Sequence, residues 1–372
     1  MAQNINLKEK KLKVAIFGGG YDSTIAKVHL RSILATNKFD IKCGVFSRKI
    51  EKNFKNSKFW NVPINKVYNN IDKLLANESN NFDIAIILTP PFNRIEIYKR
   101  IINKNKYIIS EKPIEGNFNE LKNNLNKLKK LNNSFCCTYN YLGYPSIMEI
   151  KNLIKKIGSI NNFLIEMPQQ SSLLNTSIMK KWRTTDGVIP NLYLDLGSHI
   201  ISLLNYFFGR FPNSVQAIEQ NNLKKKYVDN VFAWFDYREF FGSCWFSKNA
   251  LGNKNKITIR IFGSKGSIRW CHENPEEIYF SDSNGNTKIL NRTSSNLKYL
   301  TNNKFYTYSA GHPFGFLDGF INIYEEIYSF FYKKNKSELL LSIKENINIL
   351  NVLNQMHLSS KTNKWQKIKP VK

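Results

Sequence analysis

The chain has 372 residues, 42% of them hydrophobic and 13% aromatic, which can fill sizeable cores and corresponds in length to roughly two domains. No apolar run approaches the ~20 residues that a membrane helix needs, and the polar start of the chain lacks a signal-peptide core. The formal net charge is +27, but the lysines are spread along the whole chain and the longest basic run, Lys224–Lys226, is short. This pattern indicates a solvated basic surface, so we expect neither a membrane nor a nucleic acid as partner.

Cysteine spacing bears on metal binding and location. The five cysteines are scattered and include no C-x-x-C pair: Cys43, Cys136, Cys137, Cys244 and Cys271. This arrangement favours neither a disulfide framework nor a zinc site, and we expect no bound metal. Such cysteine usage is typical of a reducing compartment and predicts a cytoplasmic location.

The first part of the chain alternates apolar strands with amphipathic helices. Strands are predicted at residues 14–17, 41–47, 83–88, 107–109 and 135–139. Helical spacing of apolar residues follows the first, third and fourth of them. This order predicts an α/β fold, a doubly wound parallel sheet of the Rossmann type, over residues 1–140.

A glycine turn ends the first strand. Gly18 and Gly20 permit a tight turn and a close approach of the backbone to a pyrophosphate, and the next helix supplies N–H groups and a positive dipole end. The third glycine of the fingerprint is replaced by Ser23, and Asp22 is an awkward neighbour for an anion. The alternative is an ordinary glycine turn, but the strand–turn–helix context favours an NAD(P) site.

The end of the second strand bears on the choice of nicotinamide cofactor. Ser47 and Arg48 stand where an acidic residue would hold a ribose 2′-hydroxyl, and no acid follows until Glu51. Arg48 can pair with a 2′-phosphate and stack on adenine. We therefore favour NADP slightly over NAD, the alternative being an ordinary surface arginine.

Lys112 lies between Glu111 and Pro113 at the carboxyl end of a buried strand, where open α/β sheets place their ligands. A lysine there can donate a hydrogen bond to a reacting oxygen and stabilise charge on it. The alternative is a solvated loop lysine, the usual fate of lysine in so basic a chain.

The second part of the chain has a different pattern. A helix is predicted from Pro145 and ends near Gly158, strands are predicted at 162–167, 228–237, 240–246, 257–262 and 267–271, and a late helix at 337–358. Runs of strands with few helices between them indicate an α+β domain with a mainly antiparallel sheet over residues 141–372.

A carboxylate and an imidazole stand four residues apart within this second domain. Asp195 and His199 at i and i+4 share one face of a helix, and Gly197 between them allows a ligand or strand to come near. A histidine titrates near neutrality and can take the proton of an alcohol as hydride leaves, while Asp195 orients it or touches substrate. Taken alone, such a pair is more often a helix cap plus a core histidine.

The motifs together resemble the Gfo/Idh/MocA oxidoreductases, the family of glucose–fructose oxidoreductase and inositol dehydrogenase. The resemblance covers nearly the whole chain and is strongest to the sugar-oxidising branch. Its segments are FGGGYDSTIAKVH (17–29), TPP (89–91), SEKP (110–113), TYNYLGYP (138–145), EMPQQ (166–170), KWRTTD (181–186), DLGSH (195–199), FGSKGSIRW (262–270) and GHPFGFLDGF (311–320).

What the resemblance implies is a Rossmann domain, a substrate domain with a large open sheet that often serves oligomer contacts, and hydride transfer between a nicotinamide and a sugar, cyclitol or sugar derivative. Lys112 and His199 would be the catalytic pair, with Asp195 as their partner. Further cofactor contacts would be Tyr21, Asp22, Thr89, Pro90 and Glu111. Candidate substrate residues are Asn140, Gln169, Trp182, Arg183 and His312, although Gln169 and Trp182 can also be packing residues.

Two departures from the family pattern concern the substrate pocket and its surroundings. Arg94 stands where the family often has histidine, and Phe314 stands where relatives usually have glutamate. Phe314 puts an aromatic ring in place of a charge, so the substrate of a relative does not carry over to this chain.

Two alternative functions stay open. One is hydrolysis or epimerisation of a glycoside through transient oxidation by a bound cofactor, and the other is a non-catalytic regulator that binds cofactor or sugar.

Overall fold

The computed structural model describes residues 10–92, 94–171, 173, 185–221 and 226–371. Within these residues, five strands form the first sheet: β1 (Leu12–Gly18), β2 (Phe39–Val45), β3 (Ile84–Leu88), β4 (Tyr107–Glu111) and β5 (Phe135–Thr138). All pairs are parallel and the order is β2-β1-β3-β4-β5, as the alternation of strands and helices predicted. The strand β3 is buried along its whole length because helices cover both faces of the sheet.

The helices of this first layer follow the strands in sequence. They are α1 (Thr24–Thr36), α2 (Asn53–Trp60), α3 (Ile71–Glu78), α4 (Arg94–Ile102), α5 (Phe118–Asn123) and α6 (Leu125–Leu128). Short 3₁₀ helices lie at Ile50–Lys52, Ile64–Lys66 and Lys129–Leu131. The side chain of Asn70 accepts hydrogen bonds from the first N–H groups of α3, and Asn117 does the same for α5, so two asparagines of this Asn-rich chain serve as helix caps.

The second sheet has nine strands within the described residues. They are β6 (Ile160–Pro168), β7 (Ser214–Gln220), β8 (Asn230–Asp236), β9 (Phe241–Ser247), β10 (Thr258–Gly263), β11 (Gly266–Cys271), β12 (Ile278–Asp282), β13 (Thr287–Leu290) and β14 (Gln366–Lys367). Their order is β13-β12-β11-β10-β6-β9-β8-β7-β14, and only the central pair β6/β9 is parallel. The predicted mainly antiparallel sheet is confirmed.

The remaining helices lie on one face of the second sheet or join it to the first. They are the 3₁₀ helix Asn140–Gly143, α7 (Pro145–Ile154), the π-helix Tyr193–Gly197, α8 (Ser198–Phe208), the 3₁₀ helix Asn303–Phe305, α9 (Phe316–Tyr332) and α10 (Ile343–Thr362). The helix predicted from Pro145 is confirmed. Within the described ranges, no helix combines the length and the hydrophobicity needed to cross a bilayer.

The C-terminal helices differ from the sequence expectation. The late helix begins at Ile343 and not at residue 337, because Ser342 accepts from the backbone N–H of Glu345 while the Glu345 carboxylate accepts from the Ser342 N–H. The helix α9 was not predicted at all. It packs against α1, and its Tyr324 and Tyr328 contact the ring of Phe39 at the start of β2.

The predicted domain boundary at residues 140 and 141 falls inside the 3₁₀ helix Asn140–Gly143, and the division at that point remains a prediction. More important for function is how the two sheets meet. The loop after β4 contacts the π-helix that precedes α8, and the residue after β9 contacts the same π-helix. Chemistry-bearing side chains from both sheets are therefore concentrated at one junction.

Candidate active site

The glycine turn after β1 has the shape that a dinucleotide phosphate requires. Gly18 has a φ of +86°, and a Cβ built on it would lie 2.7 Å from the backbone nitrogen of Thr89. Ser23, the N-cap of α1, makes no side-chain capping hydrogen bond, so its hydroxyl does not occupy the N–H groups at the start of that helix. Thr89 Oγ1 and Asn56 Nδ2 are buried without a hydrogen-bond partner among the described residues. These features fit a bound pyrophosphate with its attached ribose.

The predicted adenine-side residues lie at the ends of β1 and β2. Arg48 is exposed, and Ser47 accepts a hydrogen bond from the backbone N–H of Lys49 at 3.1 Å. The N–H of Tyr21 donates to Asn56 Oδ1 at 3.0 Å. The carboxylate of Asp22 pairs with Lys52 at 3.2 Å, which partly offsets the negative charge that made Asp22 an awkward neighbour for an anion.

Lysines add to the positive charge at this end of the sheet. The Nζ atoms of Lys52 and Lys55 lie 5.8 and 5.5 Å from the centroid of the Tyr21 ring. Of the basic residues at this corner, only Arg48 was predicted from the sequence. Lys52 belongs to the 3₁₀ helix Ile50–Lys52 and Lys55 to α2. The corner is therefore strongly basic.

Arg94 connects the loops that end β3 and β4. It is buried, its Nε donates to the carbonyl oxygen of Thr89 at 3.0 Å, and its guanidinium also donates to the carbonyl oxygens of Glu111 and Pro113. The departure from the family histidine thus has a structural role, because one side chain fixes the backbone on both sides of Lys112. Thr89 and Pro90, predicted cofactor contacts, lie in the loop that this contact anchors.

Lys112 and Asp195 form the centre of the site. Lys112 Nζ donates to the backbone oxygen of Asp195 at 2.7 Å and lies 3.2 Å from its carboxylate Oδ1. The sequence predicted a regular helix here, but Tyr193–Gly197 is a π-helix and α8 begins only at Ser198. π-Turns often occur at functional sites, and this one presents both the backbone oxygen and the carboxylate of Asp195 to Lys112. Gly197 serves packing, because a Cβ there would lie 2.9 Å from Leu353.

His199 is buried beside this ion pair. Burial holds the pKa of His199 well below its ordinary value, the charge of Lys112 lowers it further, and the charge of Asp195 opposes both. The imidazole is therefore neutral at physiological pH. Its Nδ1 has no hydrogen-bond partner among the described residues, so the prediction that Asp195 orients it gains no hydrogen bond at that atom. A buried, unpartnered nitrogen next to an ammonium is suited to a ligand hydroxyl.

Aromatic rings form one wall beside His199. Tyr141 stands edge-on to the imidazole with centroids 5.0 Å apart, and it contacts His272 at 5.3 Å. His272 Nε2 lies 3.0 Å from the hydroxyl of Tyr144. Phe314, which stands in place of the family glutamate, packs its ring against Tyr144 and so stabilises this wall. Asn140, a predicted substrate residue, is buried, and its Nδ2 has no partner within the described part of the chain.

The other predicted substrate residues are placed differently. Gln169 follows β6, and its amide donates to Asn255 Oδ1 at 2.7 Å. His312 is exposed and contacts the ring of Tyr308, so the structure does not bring it to the Lys112–Asp195 pair. Trp182 and Arg183 lie outside the described residues.

Glu111 is turned into the interior. Its Oε1 lies 3.1 Å from His29 Nε2 and accepts from Thr138 Oγ1 at 2.6 Å, while His29 Nδ1 lies 2.7 Å from the hydroxyl of Tyr324. Burial by itself would raise the pKa of Glu111, but the bonds to His29 and Thr138 outweigh it and leave the pKa below its ordinary value. The carboxylate is thus occupied by internal partners, and a cofactor contact through Glu111 remains a prediction.

Sequence reasoning missed Lys248. This residue follows β9, is buried, and donates from Nζ to Asp195 Oδ2 at 2.7 Å. The one available signal was a lysine directly after an alternating apolar strand, and a chain with lysines everywhere hides such a signal. His272 was also not predicted as a site residue.

The arrangement combines a group that can accept a proton, His199, with an ammonium, Lys112, that can stabilise negative charge on a nearby ligand oxygen. An ammonium has three donor directions, and two of those of Lys112 are directed at Asp195. The third can donate to an oxygen of a ligand, and the neutral His199 can accept a proton. Within the described ranges, no cluster of three or more histidine, cysteine and acidic side chains is placed to hold a metal ion.

Comparison with known proteins agrees with this geometry. Two family models match: "Oxidoreductase family, NAD-binding Rossmann fold" over residues 12–139, and "Oxidoreductase family, C-terminal alpha/beta domain" over residues 151–368. Both are models of the Gfo/Idh/MocA group, and together they span most of the chain.

Individual relatives are distant. An uncharacterized protein of Saccharomyces cerevisiae is 26% identical over 62% of this chain and 66% of its own length. Glucose-6-phosphate 3-dehydrogenase of Bacillus subtilis is 26% identical over 72% of this chain and 70% of its own. Among solved structures, an inositol dehydrogenase homolog from Azotobacter vinelandii, complexed with NADH and myo-inositol, has a TM-score of 0.85 at 19% identity and covers 96% of this chain and 98% of that one. At that identity the likeness shows the fold.

Proposed function

Since the chain belongs to the Gfo/Idh/MocA family of oxidoreductases, with an NAD-binding Rossmann domain, we propose that it transfers a hydride between a nicotinamide cofactor and a hydroxyl-bearing or keto carbon of a sugar, cyclitol or sugar derivative. The observation that carries this proposal is the juxtaposition of Lys112, Asp195 and His199 at the carboxyl end of β4. The cofactor, when bound, supplies the hydride acceptor.

The protein's own residues divide the remaining work. Lys112 donates a hydrogen bond to the reacting oxygen and stabilises the charge that develops there. His199 accepts the hydroxyl proton at its unpartnered Nδ1, and its low basicity is matched by an alcohol made more acidic by Lys112. Asp195 fixes the position of Lys112 through its backbone oxygen and its carboxylate. The rings of Tyr141 and Tyr144 exclude water from one side.

Two observations support a polyhydroxylated substrate. Matched relatives include a protein named glucose-6-phosphate 3-dehydrogenase and a structure described as complexed with NADH and myo-inositol. The described site also offers hydrogen-bonding groups without partners, His199 Nδ1 and Asn140 Nδ2, which suit several neighbouring hydroxyls better than an apolar ligand.

The proposal is tested by following absorbance at 340 nm with NAD⁺ and NADP⁺ and a panel of glucose, glucose 6-phosphate, myo-inositol and ligands that co-purify with the protein. We expect reduction of the cofactor by at least one of them. Product formed without net change in absorbance would indicate transient oxidation and hence an epimerase or glycoside hydrolase. Cofactor binding without product across the panel would favour a regulator.

We propose a modest preference for NADP over NAD on the strength of the basic corner. Replacing Arg48 by Ala should lower the ratio of kcat/KM with NADP⁺ to kcat/KM with NAD⁺ by about 10-fold to 100-fold, because a charged hydrogen bond contributes roughly 1.5–3 kcal/mol. Steady-state kinetics with both cofactors measure the ratio. The exposed Arg31 on α1 provides a control, since R31A should leave the ratio unchanged. An unchanged ratio in R48A would remove Arg48 from cofactor selection.

We further propose that a second copy of the chain covers the open face of the second sheet. Alternation along β8 directs Phe232 and Trp234 to this face, where both are exposed, and the neighbouring Ile218 and Phe241 are exposed as well. Phe232 stacks on Trp245 at 5.8 Å. Clustered aromatic and aliphatic side chains on a sheet are typical of a protein interface.

The oligomer is tested by light scattering after gel filtration. The wild type should have a mass of at least two chains, and the double variant F232E/W234E should approach the 43.4 kDa of one chain because buried charges oppose association. L34E, at an exposed leucine of α1, is the matched control and should assemble like the wild type. A wild type that is monomeric at micromolar concentration would contradict the proposal.

A cytoplasmic location is also proposed. The five cysteines all have free thiols, four of them buried, and none is positioned as a disulfide partner of another. Free thiols persist in reducing compartments.

A further inference from the structure

We propose that Lys248 is a positioning residue for the dehydrogenase site, fixing the carboxylate of Asp195 so that Lys112 keeps a free donor for the substrate oxygen. This inference rests on the proposed function of Lys112. The geometry that carries it is a carboxylate held by a separate ammonium at each oxygen: Lys112 at Oδ1, 3.2 Å away, and Lys248 at Oδ2, 2.7 Å away.

The backbone delivers Lys248 to this place with little freedom. The N–H of Lys248 donates to the carbonyl oxygen of Asp229 at 2.8 Å, and the hydroxyl of the preceding Ser247 donates to the same oxygen at 3.2 Å. The following N–H, of Asn249, donates back to Ser247 Oγ at 2.9 Å. Because β9 is a central strand paired with β6 and β8, the residue at its end is anchored to the middle of the sheet.

The burial of Lys248 is unusual for a lysine. Its side chain is 9% exposed, against 35% for Lys256, which pairs with Glu273 elsewhere on this sheet. Removing an ammonium from water costs several kcal/mol in the absence of compensation, and a buried ion pair is weak evidence for stability. A role of Lys248 in holding the Asp195 carboxylate in place explains this cost better than a contribution of Lys248 to stability.

The charge pattern follows from the groups that face Asp195. Among the described residues they include Lys112 from the end of β4, Lys248 from the end of β9, His199 from α8 and Tyr141 from the 3₁₀ helix Asn140–Gly143. Burial keeps His199 neutral, and it also raises the pKa of Tyr141, which therefore stays protonated. Two ammonium groups of the described residues thus face the Asp195 carboxylate, and the carboxylate of Glu111 also acts on Lys112. Because Lys248 adds a positive charge next to Lys112, it disfavours protonation of the site and favours an anionic oxygen on the substrate.

This charge pattern predicts the effect of removing Lys248. In K248M, Asp195 loses the ammonium group at its Oδ2, and Lys112 loses a like-charged neighbour. Deprotonation of the site should then require a pH that is higher by about one unit. This is the lower end of the range of shifts that one neighbouring charge causes. Turnover should fall by about 10-fold to 100-fold, since misplacement of a reacting group by about 1 Å costs up to that much. K248R keeps the charge and should recover most of both properties.

The experiment measures the reactivity of Lys112 directly, so it does not depend on identifying a substrate. Wild type, K248M, K248R and the control K256M are pulse-labelled with acetic anhydride across pH 6–11, and acetylation of Lys112 is read by mass spectrometry. We expect the midpoint for Lys112 to move upward in K248M and to stay in place in K248R and K256M. The pH profile of kcat/KM should move in the same direction.

An unchanged labelling midpoint for Lys112 in K248M would overturn the inference whatever the enzyme's activity. A shifted midpoint in a protein that oxidises no member of the panel would support the electrostatic coupling and contradict the proposed function instead. Cofactor affinity, measured by quenching of protein fluorescence, should be equal in K248M and the wild type. Melting temperatures of the variants establish that each is folded.

Discussion

Replacing Lys112 by Met is expected to lower kcat by about 10²–10³-fold, the range seen when one donor to a developing oxyanion is removed. Methionine keeps an unbranched side chain, one heavy atom shorter than that of lysine, and most of its volume, but it cannot donate a hydrogen bond. Because Lys112 Nζ contacts Asp195 and leaves one donor for the substrate, the loss should appear in turnover. The affinity for NAD(P) should change little, since the glycine turn after β1 is untouched.

The measurement combines steady-state kinetics with fluorescence titration of the cofactor. K104M is a matched control, because Lys104 is exposed in the loop that enters β4 from its opposite end. It should behave as the wild type in both assays. Wild-type turnover in K112M, with the substitution confirmed by mass spectrometry, would remove Lys112 from the mechanism.

Replacing His199 by Asn should lower kcat by about 10²–10⁴-fold, the usual contribution of a positioned general base. Asparagine retains polarity and approximate size, but its amide cannot accept a proton at neutral pH. The buried Nδ1 of His199, without a partner among the described residues, is the atom that we expect to accept the hydroxyl proton. The variant should bind cofactor normally, which a fluorescence titration checks.

The pH dependence of wild-type kcat/KM also tests the role of His199. Burial and the charge of Lys112 lower the pKa of His199 well below its ordinary 6.5. A base with a lowered pKa stays unprotonated as the pH falls through 6.5, so wild-type kcat/KM should show no loss of activity centred at that pH. An acid limb centred at 6.5 or above, and absent from H199N, would contradict the assignment of a buried neutral imidazole.

Features fixed by local pattern could be predicted from the sequence. The fully apolar run that became β3 and the glycine turn after β1 required no long-range information, because parallel strands buried on both faces have this composition. The placement of Lys112 at the carboxyl end of β4 followed from the same logic, since open α/β sheets bind ligands at that edge. Asp195 and His199 were recognised by their spacing and by family resemblance.

Features fixed by tertiary packing could not be predicted. The helix α9 contains Gly319 and many aromatic residues with low helix propensity, and it forms because Tyr324 and its neighbours pack on α1 and β2. The π-helix at Tyr193–Gly197 changes hydrogen-bond spacing without changing the apolar pattern. Lys248 reaches the site from an element distant in sequence, so neither local spacing nor charge distinguished it. Arg94 was noticed as a departure from the family pattern, but its contacts with the end of β4 depend on tertiary packing.

Arg94 shows how the structure accommodates a residue that differs from the family pattern. One buried guanidinium donates to carbonyl oxygens of Thr89 in the loop after β3, of Glu111 at the end of β4 and of Pro113 in the loop that follows β4. A residue that differs from the family pattern therefore still serves the placement of Lys112. The substitution of Phe314 for the family glutamate is absorbed in a similar way, by packing against Tyr144.

The central claim is that this site moves a hydride from a sugar-type carbon to a nicotinamide, and deuterium transfer tests it most directly. Wild-type protein is incubated with NAD(P)⁺ and substrates of the panel that are deuterated at every carbon-bound position, and the reduced cofactor is analysed by mass spectrometry and NMR. We predict one deuterium at C4 of the nicotinamide, with a rate lower than that for the unlabelled substrate. Reduced cofactor without deuterium, or consumption of substrate with no transfer to the cofactor at any stage, would contradict the account.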